Sequence, residues 1–274
     1  MKGRVGYSIV IPAYNEERRI AATLEQVIRY IAERNVRSEI IVVDDGSTDR
    51  TAHIVMGYRR RSHRVKLLRV QHQGKGSAVR RGVMAAHGEI IFLCDADMHE
   101  GFVECEKLEA ALLAGADIAI GSRWVQKCES TGTQPFYRRA SSRVFNLCTQ
   151  RLLGLRFHDT QCGLKAFTRD AAKDLCGYQS INGWGYDPEL LFVAVRLGYR
   201  VAEVAIKLEH NYRSSKFRPV QDGFITFKEL LHILWRDILG SYPRPMRAPA
   251  AVGAAPSAAA ELTPLTETGG REAA

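Results

Sequence analysis

The chain of 274 residues contains no run of about 18 uncharged apolar residues, and it opens on a strand-like segment rather than on a charged and then apolar leader. A membrane-spanning helix and a secretory leader are therefore not expected, and a soluble or peripheral protein is. Its six cysteines, Cys94, Cys105, Cys128, Cys148, Cys162 and Cys176, include no C-x-x-C pair, so neither a zinc site nor a redox motif is suggested. Reduced thiols in a cytoplasm fit that pattern. There is no internal repeat. With 46% hydrophobic and 25% charged residues, the composition excludes a collagenous or disulfide-scaffold protein, and a chain this long buries a core that needs no staples.

Acidic residues are the scarcer sign: 39 Lys and Arg face 30 Asp and Glu, a net charge of +9. Residues 244–274 are rich in Ala, Pro, Thr and Gly, and there Arg244, Arg247 and Arg271 balance Glu261, Glu267 and Glu272. That composition predicts a disordered tail behind one catalytic domain over 1–243. The surplus thus belongs to 1–243. It gathers at 59–69 and at 121–157, where Arg123, Lys127, Arg138, Arg139, Arg143, Arg151 and Arg156 face Glu129 alone. A nucleic-acid module would add aromatic-interleaved basic strands or a recognition helix, and neither is found.

Short apolar runs alternate with amphipathic stretches, which predicts βα units and an α/β fold with a mainly parallel sheet. Strands are expected at Tyr7–Pro12, Glu39–Asp44, Val65–Val70, Glu89–Cys94, Asp117–Gly121, Gly163–Phe167 and Arg200–Lys207. Helices are expected at Asn15–Glu33, from Asp49, at Ser77–Ala86, Phe102–Leu113, Phe136–Leu153, Pro188–Leu197 and from about Gln221 to Leu239.

Ligands of open α/β sheets bind at the carboxyl ends of the strands. Here those ends read Pro12-Ala-Tyr-Asn-Glu-Glu17, Asp44-Asp-Gly-Ser-Thr-Asp49 and Asp95-Ala-Asp97. Adjacent carboxylates raise one another's pKa unless a cation or hydrogen-bond donors offset them. Such a pair at a strand end suggests Mg²⁺ or Mn²⁺, oxygen-seeking ions that leave coordination positions to water and a diphosphate. Other nucleotide motifs fail on spacing. A P-loop would need glycine at Arg69 and Ser or Thr at Gly76, and a dinucleotide fingerprint would need glycine at Val79.

Four ordered motifs carry a family resemblance: Pro12-Ala-Tyr-Asn-Glu-Glu17, Val42-Val-Asp-Asp-Gly-Ser-Thr-Asp49, Gly74-Lys-Gly76 before a helix, and Asp95-Ala-Asp97. In order and spacing they resemble the family 2 glycosyltransferases of GT-A fold, over roughly residues 5–215. Gly121-Ser-Arg123, Asp159-Thr-Gln-Cys-Gly-Leu-Lys165, Trp184-x-Tyr-Asp187 and Ser215-Lys216 are most similar to the polyprenyl-phosphate hexosyltransferases, the dolichyl-phosphate β-glucosyltransferases above all. No N-terminal membrane anchor is expected, which is where the reading departs from that group.

The resemblance implies a single Rossmann-like mixed sheet flanked by helices, and an inverting transfer of a hexose to a polyprenyl phosphate. Glucose from UDP-glucose is favoured, with GDP-mannose as donor or a water-soluble acceptor as alternatives. It implies that Pro12, Tyr14, Glu16, Asp44, Gly46, Ser47, Lys75, Gly76 and Asp95 bind the donor. Asp95, Asp97 and His99 would hold Mg²⁺ or Mn²⁺. Arg123 and Arg138 would hold the acceptor phosphate, with Arg213 and Lys216 closing from the other side. Asp159, Gln161, Asp187 and Glu189 would orient sugar hydroxyls or hold those cations, and Trp184 would stack on the hexose. The basic amphipathic stretches 136–155 and 223–239 suggest peripheral contact with the cytoplasmic face of a membrane.

Overall fold

The computed structural model describes residues 6–34, 36–98, 102–123, 136–207 and 219–243; the side chains of 136–142 and 219–222 lie outside that description. The chain runs β1 (Tyr7–Ala13), α1 (Ile20–Glu33), β2 (Ser38–Asp44), α2 (Thr51–Arg61), β3 (Val65–Arg69), α3 (Lys75–Ala85) and β4 (Ile90–Leu93). After a 3-10 turn at Phe102–Glu104 come α4 (Cys105–Leu113), β5 (Ile118–Ser122), α5 (Phe136–Leu153) and β6 (Lys165–Thr168). Then follow α6 (Arg169–Tyr178), α7 (Tyr186–Leu197), β7 (Val201–Ala205) and α8 (Pro219–Ile238). The expected tail at 244–274 lies outside the described residues.

One seven-stranded mixed sheet has the order β3-β2-β1-β4-β6-β5-β7. Among the described strands β6 alone runs against the rest, antiparallel to β4 and β5. Successive side chains of a strand point to opposite faces, and both faces are apolar here. Ile9, Ile11, Ile40 and Val42 enter the core under α1 and α4, whereas Val10, Ile41 and Val43 enter the core under α3, α6 and α7. Gly82 lets α3 lie against the sheet, because a Cβ there would overlap Val10 and Val43 side chains. Strand order reverses between β1 and β4. The crevice at their carboxyl ends is where a ligand of such a sheet binds.

Two expected elements start elsewhere, and one element was not expected. The helix expected from Asn15 begins at Ile20, because Asn15 takes a positive φ of 54° and its neighbourhood bonds to another loop. The amides of Asn15, Glu16 and Glu17 donate to Ser47 Oγ, Thr51 Oγ1 and Asp49 Oδ2, at 2.9, 2.7 and 3.1 Å. Asn15 Oδ1 in turn accepts from the amides of Thr48 and Asp49. The two loops thus satisfy each other's backbone groups, and Asn15 is a loop staple rather than a helix cap. The expected helix at Ser77 starts at Lys75, on a Gly74 at φ 109°. Finally, α6 was not expected: it is short, follows directly on β6, and buries Ala171, Ala172, Leu175 and Cys176 on one face although its charged and apolar residues are well segregated.

Candidate active site

The strand ends converge as three loops, 14–19, 44–51 and 72–76. Asp44 ends β2 fully buried, and its Oδ1 accepts from the Ser47 amide at 3.0 Å while Arg69 Nε stands 3.4 Å from Oδ2. Asp45 accepts from the amides of Gln73 and Gly74, at 3.0 and 2.9 Å, and contacts His72 Nδ1 at 2.8 Å. His72 lies flat on Tyr14, with ring centroids 4.1 Å apart and planes 17° apart. An aromatic platform therefore flanks the end of β1, and Pro12 is buried within the strand. The close approach that Gly46 permits, at φ 74°, is to the backbone of His72, since a Cβ would stand 2.9 Å from its amide. Gly76 likewise admits Ile181 O and Tyr186 Cβ, at 2.5 and 2.7 Å from where its Cβ would be.

Next to this platform, carboxylates and cations alternate. Glu16 binds Arg19 at 2.6 Å, and Arg19 reaches Asp97 at 3.2 Å. Lys75 Nζ lies 2.7 Å from Asp95 Oδ1 and 2.9 Å from Oδ2. The Trp184 ring sits over the same ammonium at 5.1 Å and the Tyr186 ring at 6.0 Å. Asp187 pairs with Lys165 at 2.6 Å, in contact but without an aligned hydrogen bond at Oδ1. Burial works against the Lys75 charge, yet Asp95 and Asp187 outweigh it and hold the ammonium above its usual range. Burial raises the Asp187 carboxyl in spite of Lys165 and Lys75.

A second arrangement lies at the end of β5. Arg123 grips Asp159 with Nε at 2.7 Å from Oδ2 and Nη2 at 3.0 Å from Oδ1, and the Arg123 amide adds a bond at 3.2 Å. Burial alone would raise the Asp159 pKa, but the Arg123 charge and hydrogen bonds hold it below the usual carboxylate range. Beneath it the buried Glu203 of β7 accepts from the amides of His158 and Asp159, at 3.0 and 2.8 Å, and contacts His158 Nδ1 at 2.9 Å. Asp159 thus holds a cation.

Other candidate residues stand elsewhere. Gln161 is half-buried in the loop before β6. Glu189 is fully buried and takes hydrogen bonds from the Ser180 amide and hydroxyl, the Ile181 amide and Tyr242. It staples a loop to the C-terminal segment, and its saturated oxygens leave nothing for the sugar or the cations it was expected to meet. His99, Arg213 and Lys216 lie outside the described residues, and Arg138 is placed only as part of the backbone of α5. Sequence reasoning missed Arg19, His72, Lys165 and Glu203 as neighbours of these groups. Lys165 closes a quoted motif, but Arg19 sat within an apparent helix, and nothing in the chain signals the stacking of His72 on Tyr14.

Among the described residues no group of three or more His, Cys, Asp or Glu is placed to hold a metal. The donor set that is present still fits a hard cation: Asp95 and Asp97 offer carboxylate oxygens two residues apart, with side chains 24% and 31% exposed. Mg²⁺ is commonly held by one or two carboxylates with water and phosphate completing the shell. In the structure Lys75 and Arg19 supply the offsetting charge.

The sequence model of glycosyl transferase family 2 matches residues 8–176. The chain is 32% identical over 249 residues to the dolichyl-phosphate β-glucosyltransferase of Drosophila melanogaster, covering 86% of this chain and 76% of the relative. It is 33% identical to the human protein of that name and 31% identical to that of Saccharomyces cerevisiae, each again over 86% of this chain and 76% of the relative. Among solved structures it is similar to glucosyl-3-phosphoglycerate synthase from Mycobacterium tuberculosis bound to phosphoglyceric acid. There the TM-score is 0.61 and the identity 22%, over 85% of this chain and 79% of the other. The same enzyme with Mn²⁺ and UDP-glucose gives a TM-score of 0.60 at 22% identity, over 85% and 78%.

Proposed function

The chain belongs to glycosyl transferase family 2, has the GT-A fold and is a glycosyltransferase; from that premise we propose that it moves glucose from UDP-glucose to a dolichyl-type polyprenyl phosphate with inversion. The observation that carries the reading is the likeness to dolichyl-phosphate β-glucosyltransferases across most of both chains. The geometry supports it with a carboxylate-rich donor side and a cation at Arg123 after β5.

A phosphate monoester has a second pKa near 6 and is largely dianionic at neutral pH, so the acceptor needs no strong general base. One of its oxygens attacks the anomeric carbon while the bond from that carbon to the nucleoside diphosphate breaks, the diphosphate keeping the electron pair. An α-linked donor becomes a β-linked lipid phosphate sugar. In this reading the Tyr14–His72 platform and Asp44 flank the nucleoside, and Lys75 neutralises charge on the leaving diphosphate. Asp95 and Asp97 would hold Mg²⁺ or Mn²⁺, which supplies charge stabilisation at the diphosphate when bound. Arg123, held by Asp159 through Nε and Nη2, offers its remaining N–H groups to the acceptor phosphate; Arg138, Arg213 and Lys216 are assigned to the same anion, and Asp187 and Gln161 to the hexose side.

A lipid acceptor places the enzyme at a membrane surface, on its cytoplasmic face in this reading. No helix of the described residues is long and apolar enough to cross a bilayer. The two stretches expected to meet lipid divide in the structure. Leu153, Leu155, Leu230 and Ile233 are core, whereas Val144 and Leu147 on α5 and Phe224, Phe227, Leu231, Trp235 and Ile238 on α8 are exposed. With Arg143, Arg151 and Lys228 beside them, also exposed, they form a basic apolar surface suited to an anionic interface.

The test is a mass-detected screen of nucleotide sugars against a short-chain polyprenyl phosphate, with Mg²⁺ and with Mn²⁺. UDP-glucose should give the glucosyl lipid phosphate. Transfer only to phosphorylated small molecules, with the lipid untouched, would overturn the acceptor assignment.

A further inference from the structure

Helix α8 has two faces, and its inner one reaches the donor side of the site. Thr226, Leu230 and Ile233 are buried, and Glu229 lies on the same side of the helix. Its Oε2 accepts from the Gly185 amide at 2.7 Å. The fit around that carboxylate is tight: a Cβ on Gly183 would overlap Glu229 Oε1, and one on Gly185 would stand 2.8 Å from both Glu229 Cβ and Oε2. Gly183 and Gly185 bracket Trp184, whose ring covers the Lys75 ammonium. Burial, with the nearby Glu189 charge adding to it, raises the Glu229 pKa in spite of the Gly185 amide.

We propose that Glu229 is a positioning residue for the donor side: from α8 it fixes the Gly183-Trp184-Gly185 turn, so that the indole rests on Lys75 and keeps that ammonium aimed at Asp95 and the leaving diphosphate. The inference deepens the proposed transfer reaction and rests on it for the role of Lys75. The turn lacks side chains of its own at 183 and 185: Asn182, just before it, is held by the Gly76 amide at 2.8 Å, and Glu229 holds the turn itself from α8. The other face of the same helix carries Phe224, Leu231 and Trp235, the surface assigned to lipid.

The experiment uses the full chain with Trp124→Phe and Trp235→Phe, which leaves Trp184 as the sole indole. Into it go Glu229→Ala, Glu229→Asp and Glu229→Gln. Loss of one charge-assisted hydrogen bond predicts that Glu229→Ala raises the KM for UDP-glucose about tenfold, with the acceptor KM unchanged. It should also red-shift Trp184 emission in the absence of substrate. Gln can still accept from Gly185, so Glu229→Gln should restore both readouts, while the shorter Asp should not. An unshifted Trp184 and an unchanged donor KM in Glu229→Ala would overturn the proposal. So would equal losses on donor and acceptor that Gln fails to rescue. If Glu229→Ala does not fold, the Asp and Gln pair decides alike. Emission needs no substrate: a Trp184 shift in a protein that transfers no sugar would contradict the transfer reading and leave the Glu229 contact standing.

Discussion

Lys75 Nζ stands 2.7 Å from Asp95, under the Trp184 ring and within the field of Asp187. One cation thus joins the first carboxylate of Asp95-Ala-Asp97 to the helix that carries Asp187. Replacing Lys75 by Met should lower kcat about a hundredfold or more, by the measure of removing one preorganised charge stabiliser, with a native circular dichroism spectrum. Wild-type turnover in that variant would remove Lys75 from the mechanism.

Asp97→Ala should abolish hexose transfer at an unchanged fold, since it removes a carboxylate that no other described residue replaces. Single-turnover assays with Mg²⁺ or Mn²⁺, paired with thermal melts, check this. Full activity would sink the metal assignment.

Arg123→Lys keeps the charge but loses the fork. Acceptor KM should rise about tenfold or more with the donor KM little changed, because a lone ammonium cannot hold Asp159 through two parallel hydrogen bonds and still donate to the phosphate. Initial-rate kinetics over both substrates separate the two effects.

Asp159 titrates below the usual carboxylate range because Arg123 outweighs burial. A depressed pKa contributes stability that is present above the unfolded value, near 4, and is lost as pH falls through the folded value. Asp159→Asn should therefore cost about 2 kcal/mol at neutral pH and flatten the decline in stability below about pH 4, followed by urea unfolding at a series of pH values.

On α8, Phe224→Ser with Trp235→Ser should reduce flotation with anionic vesicles while leaving turnover on a short, dispersed polyprenyl phosphate intact. Unchanged flotation would return that face to solvent.

Much of the fold was legible because the central strands β1, β2, β4 and β5 are almost wholly buried and largely apolar, and because the stretch 20–33 of α1 carries a clear helical stripe. The helix at 169–178 was not, since its ten residues follow β6 without a loop and read as a continuation of that segment, although they are amphipathic. The site divided in the same way. Motif residues such as Asp44, Asp95, Asp97 and Asp187 stand at strand and helix ends, as their spacing implied. Their partners Arg19, His72 and Lys165 come from distant positions that only tertiary packing brings near. Glu189 misled for a related reason: as the acid two residues beyond Asp187 it looked like site chemistry, but the turn of the helix sends it into the core beside Tyr242.

The account stands most directly on the product. Purified enzyme given UDP-α-glucose and a short-chain polyprenyl phosphate should yield a glucosyl lipid phosphate whose anomeric proton, read by ¹H and ³¹P NMR, has the β configuration. An α-linked product would contradict direct displacement, and transfer of glucose to soluble acceptors alone would contradict the lipid phosphate.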